Sequence, residues 1–329
     1  GCPLSGSVQD TGCWMDNCTQ ATEFSLAGFT EDLATQVTLF LLFLLIYLVT
    51  ILGNLGMITL VRASALLHSP MYYFLGNLFF LSSLSFLDLC YSSCITPRLL
   101  RDLLDEDKAI SHAECLTQFY FYVAFATTEC YPLAVMAYDR YVAVCHPLLY
   151  SLSLSRGICA LLVAGSCLAG ATNASLHMGL ALRLTFCGPK GIDHFYCEGS
   201  PLFALSCTDS NELGLFLTAG FSLAATILAI LLSYTRILAA ALGTRSAVGK
   251  RKAFSTCASH PAAVALFYGS LVSVYCRRRS RSSQEPGKVF SVLYTMVTPM
   301  LNPFIYSLRN QEVKAGVWRL MGRKHSAEK

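Results

Sequence analysis

Charge is what this chain has least of. Only 13% of its 329 residues are charged and 54% are hydrophobic; a soluble domain carries about twice that charged share. The scarcity is arranged in blocks. Leu33 to Val61, Gly157 to Leu182, Leu213 to Thr235, Ala253 to Cys276 and Val289 to Leu308 hold no Asp, Glu, Lys or Arg. Ser69 to Pro97 holds one, Asp88, and His112 to Tyr138 holds two, Glu114 and Glu129. Crossing a bilayer takes roughly 20 apolar residues, so these seven blocks read as seven membrane-spanning helices. A soluble α/β core is excluded because the runs are too long and too free of charge for core helices.

Basic residues are missing in a telling place. Residues 1 to 61 contain no Lys or Arg, whereas six follow Leu308 and Arg236, Arg245, Lys250, Arg251 and Lys252 fill the loop between spans five and six. Lys and Arg favour the cytoplasm, so the N-terminus is expected outside and the C-terminus inside, with fourteen basic residues inside and ten outside. The margin is thin because the outer loop CRRRSRSSQEPGK, Cys276 to Lys288, carries five. The run Arg277-Arg278-Arg279 reads as a solvated loop near lipid head groups. No basic segment precedes an early apolar run, so no cleavable signal peptide is visible, and span one is expected to act as its own insertion signal. Residues 1–14 read as an upstream extension, since Met15 opens a more natural start; residues 1–32 form the outer N-terminus, 33–308 the bundle and 309–329 the cytoplasmic tail, all in one domain of 1–329. Asn17-Cys18-Thr19 is a glycosylation sequon on the outer side. Asn173-Ala174-Ser175 matches too, but lies within span four, where it would escape glycosylation.

Also missing is any nucleophile–base pair or metal-ligand cluster within the spans, which argues against a membrane enzyme. No inverted repeat or excess of intramembrane charge points to a transporter or channel. Nothing calls for a cofactor, a metal or a nucleic-acid partner. The string HFYCE, His194 to Glu198, could offer His194 and Cys197 to a soft metal, but a disulfide on Cys197 would compete directly.

Cysteine is abundant, with fifteen residues. Cys115, at the start of span three, and Cys187, Cys197 and Cys207, in the loop after span four, fall where an outer-side topology predicts oxidation. One bridge from Cys115 to that loop would pin it over the bundle, and a second within the loop would rigidify it; the sequence leaves the connectivity open. Cys90, Cys94, Cys130, Cys145, Cys159, Cys167 and Cys257 read as small apolar packing residues.

The most informative motif is MAYDRYVAVCHPLLY, Met136 to Tyr150, which sets Asp139, Arg140 and Tyr141 where span three meets water. Charge there is costly unless paired and used. With it come Gly53-Asn54 in span one, LHSPMYYFL from Leu67 to Leu75, Asp88 in span two, Ser233-Tyr234 in span five, KAFSTCASH from Lys252 to His260, and PMLNPFIYSLRN from Pro299 to Asn310. In this order, from about Met15 to the C-terminus, the set resembles the odorant receptors among the rhodopsin-like G-protein-coupled receptors. The resemblance implies an all-α seven-helix receptor at the plasma membrane. Its pocket in the outer half would take small volatile odorants, and its inner face would engage a heterotrimeric G protein of the stimulatory olfactory type and raise cAMP. It also implies the pairings Cys115–Cys197 and Cys187–Cys207, and often a trafficking helper; membrane lipids are the remaining partner.

Tyr122 to Arg140 spans five turns at ~3.6 residues each. Tyr122, Ala126, Glu129, Leu133, Met136 and Arg140 therefore form one stripe from pocket wall to G-protein face. Asp139 and Arg140 would form a pair that breaks on activation, with Tyr141 beside it. Tyr234 and Tyr306 would rearrange with Arg140, and Asn302-Pro303 would permit a local distortion of span seven. The resemblance places the acids Asp88 and Glu129 near the bundle axis, where both cannot cheaply stay ionised. One is protonated, a cation sits between them, or they form a hydrogen-bonded structural pair. Pocket candidates are Tyr122, Val123, Ala126 and Thr127 on span three, Thr218 and Ser222 on span five, Tyr268, Leu271 and Tyr275 on span six, and Val292 and Thr295 on span seven. The outer half of span three has no Asp to anchor an amine, and span seven has no Lys for a retinal Schiff base. Neutral, moderately apolar ligands with a hydroxyl, ester or carbonyl fit this set. Pro132 and Pro261 stand where the family usually has Leu; each would remove a backbone hydrogen bond in the signalling half and disturb coupling. Tyr73 and Glu198 replace the commoner Phe and Asp.

Overall fold

A computed structural model describes residues 23–30, 32–66, 75–105, 107–147, 150, 155–186, 191–206, 212–243, 259–277 and 285–307. Seven long helices carry the chain: α1 (Leu33–Leu66), α2 (Leu75–Leu104), α3 (His112–Cys145), α4 (Arg156–Ala181), α5 (Glu212–Gly243), α6 (Ser259–Arg277) and α7. Helix α7 is built of three consecutive pieces, Glu285–Val292, a π-helical turn Leu293–Val297, and Thr298–Ser307. Four of the helices contain segments long and apolar enough to cross a membrane by length and composition alone, Leu33–Ala63, Phe79–Leu104, Gly157–Ala181 and Leu217–Gly243.

The outward faces are apolar. On α1, Leu41, Leu45, Leu48 and Leu52 form one exposed stripe, as do Leu161 and Leu168 on α4 and Phe221 and Leu228 on α5. A water-soluble bundle hides such faces; one solvated by lipid shows them. Polar side chains turn inward instead, and Asn54, Asp88, Glu129, Asp139 and Asn302 are all buried. Helix α3 occupies the middle, packing on α2, α4, α5 and α6. Its crossing with α4 is close. A Cβ added at Gly170 would lie 2.0 Å from Thr128 Oγ1 and 2.6 Å from the Ala124 carbonyl, so only glycine fits there.

Local signals fix helix starts. Asp32 accepts the Thr35 backbone N–H (2.9 Å) at the head of α1. Ser111 and Glu114 form a reciprocal capping box on α3, so Glu114 serves the helix end and not the membrane interior. Pro132 does not end α3, which remains helical from His112 to Cys145. Pro261 lies within the described helix α6 (Ser259–Arg277). The distortion of α7 sits upstream of the expected Asn302-Pro303. Thr298 N–H reaches back to the Leu293 carbonyl just before Pro299, so the π-helical turn accommodates that proline.

The fold is mostly helical, as expected, with one small addition. A three-stranded sheet, order β2-β1-β3, caps one end of the bundle. Strand β1 (Glu23–Leu26) pairs antiparallel with β2 (Ala109–Ser111) and parallel with β3 (Gly191–Ile192). Strands of two to four residues are too short to leave a periodic signal. Their stability comes from tertiary burial, with Phe24, Leu26, Ile110 and Ile192 all inside the core.

Candidate functional site

Beneath the sheet lies a cavity of about 60 Å³. Its walls come from α3 through Phe119, Tyr122, Val123, Ala126, Thr127 and Cys130, and from α4 through Asn173 and His177. Ala219, Ser222 and Leu223 on α5, Leu271 on α6 and Tyr294 on α7 complete the ring, and Glu198 and Gly199 roof it.

The roof is tied down covalently. Cys115 on α3 is disulfide-bonded to Cys197, and the Cys197 N–H donates to Gln118 Oε1 (3.0 Å) on the same helix. Tyr196, next in the loop, is fully buried. Its hydroxyl shares a hydrogen bond with Tyr294, which shares another with Tyr122 (2.7 Å). Burial first, and then the Glu198 carboxylate, push the Tyr196 hydroxyl well above its usual range, keeping it neutral. His194 pairs with Glu198 (3.2 Å) and shares a hydrogen bond with Ser291 (3.2 Å). Lys288 bridges to Asp193 (2.9 Å) and donates to the Gly28 carbonyl (3.3 Å), tying α7 to loop and N-terminal segment.

Six of the sequence-chosen pocket residues, Tyr122, Val123, Ala126, Thr127, Ser222 and Leu271, line this cavity. Others sit elsewhere. Thr218 hydrogen-bonds His177 (2.8 Å) at the α4–α5 junction. Tyr268 is buried and donates to the Cys130 carbonyl (3.1 Å). Thr295 bonds back to the Ser291 carbonyl (2.7 Å) within its own helix, and Val292 packs into the core cluster around Tyr91 and Tyr294. The Tyr275 side chain lies outside the described residues. Sequence reasoning missed Asn173, His177, Glu198 and Tyr294. Asn173 donates to Thr127 Oγ1 (2.9 Å), a cross-helix pairing that helix periodicity alone does not reveal, although its place mid-span was a cue that an amide there needs a partner.

Midway along the bundle the motifs of three helices meet. Asn302 donates to both carboxylate oxygens of Asp88 (3.1 Å each). Asn54 donates to the Pro299 carbonyl (3.0 Å), and a Cβ on Gly53 would touch the Pro303 ring at 3.4 Å. Glu129 is buried beside this group, and its Oε1 has no hydrogen-bond partner.

At the far end of α3, Asp139 is buried and Arg140 nearly so, their closest charged atoms 3.9 Å apart. Tyr150, which the sequence reading did not select, donates to Asp139 Oδ1 (2.6 Å). Tyr141 shares a hydrogen bond with His146 (3.0 Å). Tyr234 shares a hydrogen bond with His260 Nδ1 (2.7 Å), joining α5 to α6. The Tyr306 side chain lies outside the described residues, as do Asn17, Tyr73, Cys187, Cys207, the Arg277–Arg279 side chains and the tail from 308 onward. Among the described residues no group of three or more His, Cys, Asp or Glu side chains could hold a metal, and the Cys197 sulfur is taken by its disulfide.

Comparison with known proteins agrees with this architecture. The family model for the olfactory receptor matches residues 43–324. Olfactory receptor 5M5 of Mus musculus is 51% identical over 309 residues, covering 93% of this chain and 95% of that protein. Olfactory receptor 8D4 of Homo sapiens is 50% identical over 312 residues, with 94% and 98% covered. Olfactory receptor 5B21 of Homo sapiens is 48% identical over 311 residues, with 94% and 98% covered. The chain is a multi-pass membrane protein and belongs to the olfactory receptor family.

Proposed function

We propose that the chain is an odorant receptor of the plasma membrane that binds small, mostly neutral volatile molecules in the cavity beneath the disulfide-tied loop and activates a stimulatory olfactory-type G protein, raising cAMP. The observation that carries this reading is α3 itself. One unbroken helix lines the cavity with Tyr122 and Ala126 and ends at Asp139 and Arg140. A ligand that favours one arrangement of the cavity wall thereby biases the far end of the same helix, acting through its differential affinity for two states. The cavity is small, and its ring of apolar side chains with a few hydroxyls, an amide, an imidazole and the Glu198 carboxylate at the roof suits a compact ligand with one polar group.

In this reading the sheet and the N-terminus face outside, the Arg140 end and the C-terminus face the cytoplasm, and the whole chain is one receptor domain. Asn17 carries glycan, and Cys187 pairs with Cys207, which the antiparallel bridge between Phe186 and Ser206 supports. Asp88 and Glu129 share a proton or hold a cation between them, which the partnerless Glu129 oxygen supports. A trafficking helper assists export, and lipid surrounds the bundle.

The test is a cAMP assay in cells carrying the olfactory G protein and a trafficking helper, screened with a broad odorant panel beside Arg140→Ala and surface staining. A response that Arg140→Ala abolishes at equal surface level is expected. Full cAMP from Arg140→Ala would overturn the coupling role, and ligand-gated current independent of G protein would make the protein a channel.

A further inference from the structure

The roof over the cavity is well sealed among the described residues. Ile192, Tyr196, Cys197 and Leu202 are completely buried, and Phe195 and Glu198 nearly so. Strand β1 lies along β3, and the Cys115–Cys197 bond holds the loop to α3.

The side of the bundle between α4 and α5 is different. There a groove of about 590 Å³ opens along the lipid-facing surface. Its rim is apolar and exposed, with Leu168 at 70% and Phe221 at 77%. Gly165 and Ala169 keep it wide on the α4 side; a Cβ added at Gly165 meets no atom within 4 Å. Two residues, Asn173 and Ser222, line both this groove and the cavity. Above them the His177–Thr218 hydrogen bond (2.8 Å) spans from α4 to α5 like a crossbar, and behind them Asn173 donates to Thr127 on the cavity wall (2.9 Å).

We propose that the α4–α5 groove is the bilayer-side mouth of the cavity, through which small apolar ligands with one hydrogen-bonding group enter from the lipid, and that Asn173 and Ser222 form its threshold. The occupant follows from the surroundings. The groove faces hydrocarbon, so what reaches it must first dissolve there, and apolar ligands concentrate in that phase. The polar pair at the inner edge then offers the ligand's hydroxyl or carbonyl its first hydrogen bond. The proposal rests on reading the cavity as the odorant site, but its test needs neither odorant nor G protein.

The full-length receptor carrying Ala126→Cys in a Cys130→Ser background places a thiol in the cavity and outside the groove. In phosphatidylcholine nanodiscs it is exposed to neutral hexyl methanethiosulfonate or to the cationic trimethylammonium-ethyl analogue, and modification at position 126 is followed by mass spectrometry. Labelling by the hexyl reagent is expected to be at least tenfold faster than by the cation. Filling the groove with Gly165→Leu or, separately, Ala169→Leu should slow the hexyl reagent at least fivefold. Gly56→Leu, which adds the same bulk to the exposed face of α1, should leave the rate unchanged, and an intact Cys115–Cys197 disulfide reports the fold in each variant. Equal labelling by the cation, no labelling by either reagent, or hexyl labelling that neither plug slows would each overturn the portal.

Discussion

The two ends of α3 are held in different ways. Near Tyr122 the chain is fastened by a disulfide, by a sheet that draws in the N-terminal strand, and by hydroxyl contacts joining Tyr122, Tyr294 and Tyr196. Near Arg140, among the described residues, the polar ties are single contacts: Tyr150 to Asp139, Tyr141 to His146, Tyr234 to His260, and an ion pair at 3.9 Å. A covalent tie removes conformational freedom permanently, whereas a polar contact worth about 1–3 kcal/mol can be exchanged for another. The difference suits the proposed function, in which the Tyr122 end keeps its shape and the Arg140 end exchanges contacts.

The comparison breaks most visibly if the covalent tie is removed. Cys115→Ser should cost about 2–5 kcal/mol and abolish surface expression; wild-type surface staining and melting temperature would show that the tie is dispensable. The α3–α4 crossing comes next. Gly170→Ala forces a methyl onto Thr128 and the Ala124 carbonyl, an overpacking cost of about 1–3 kcal/mol. Gly165→Ala enters open space and should leave the melting temperature of the purified receptor unchanged. Equal melting temperatures for the two would contradict the close approach.

At the coupling end, Tyr150→Phe removes the hydroxyl that Asp139 accepts, worth about 1.5–3 kcal/mol when the acceptor is charged. Basal cAMP should rise several-fold at unchanged surface level if that contact belongs to the resting state; unchanged basal cAMP would show the contact to be indifferent to state. The smallest effect is expected from Pro132→Leu. It restores a backbone donor in a helix that already runs through the site, so a modest shift in basal cAMP or surface expression is expected, and equality in both would remove Pro132 from the account of coupling.

The sequence made some of this legible and not the rest, for identifiable reasons. The seven helices follow from long runs with little or no charge, a signal that needs no tertiary knowledge. Gly53, Asn54, Asp88, Asn302 and the α7 prolines stood out in the sequence as motifs, but which of them touch came only from the structure. The pocket was read less completely. Val292 and Thr295 were expected in the pocket, yet Val292 packs into the cluster around Tyr91 and Tyr294 and Thr295 bonds the Ser291 carbonyl within its own helix. Glu198 reaches the cavity only because a disulfide folds its loop inward, and β1 exists only because β2 and β3 await it. Such long-range placements leave no periodic trace in one chain.

The central claim is that the cavity under the tied loop is where odorant acts. The most direct measurement is the cAMP concentration–response to an odorant found in the panel, compared between Ala126→Leu, which intrudes on the cavity, and Val292→Ala, which does not line it. At least a tenfold rightward shift or lost response is expected for Ala126→Leu, and less than a threefold change for Val292→Ala, at equal surface levels. An unshifted curve for Ala126→Leu with a large shift for Val292→Ala would place the ligand elsewhere and contradict that claim.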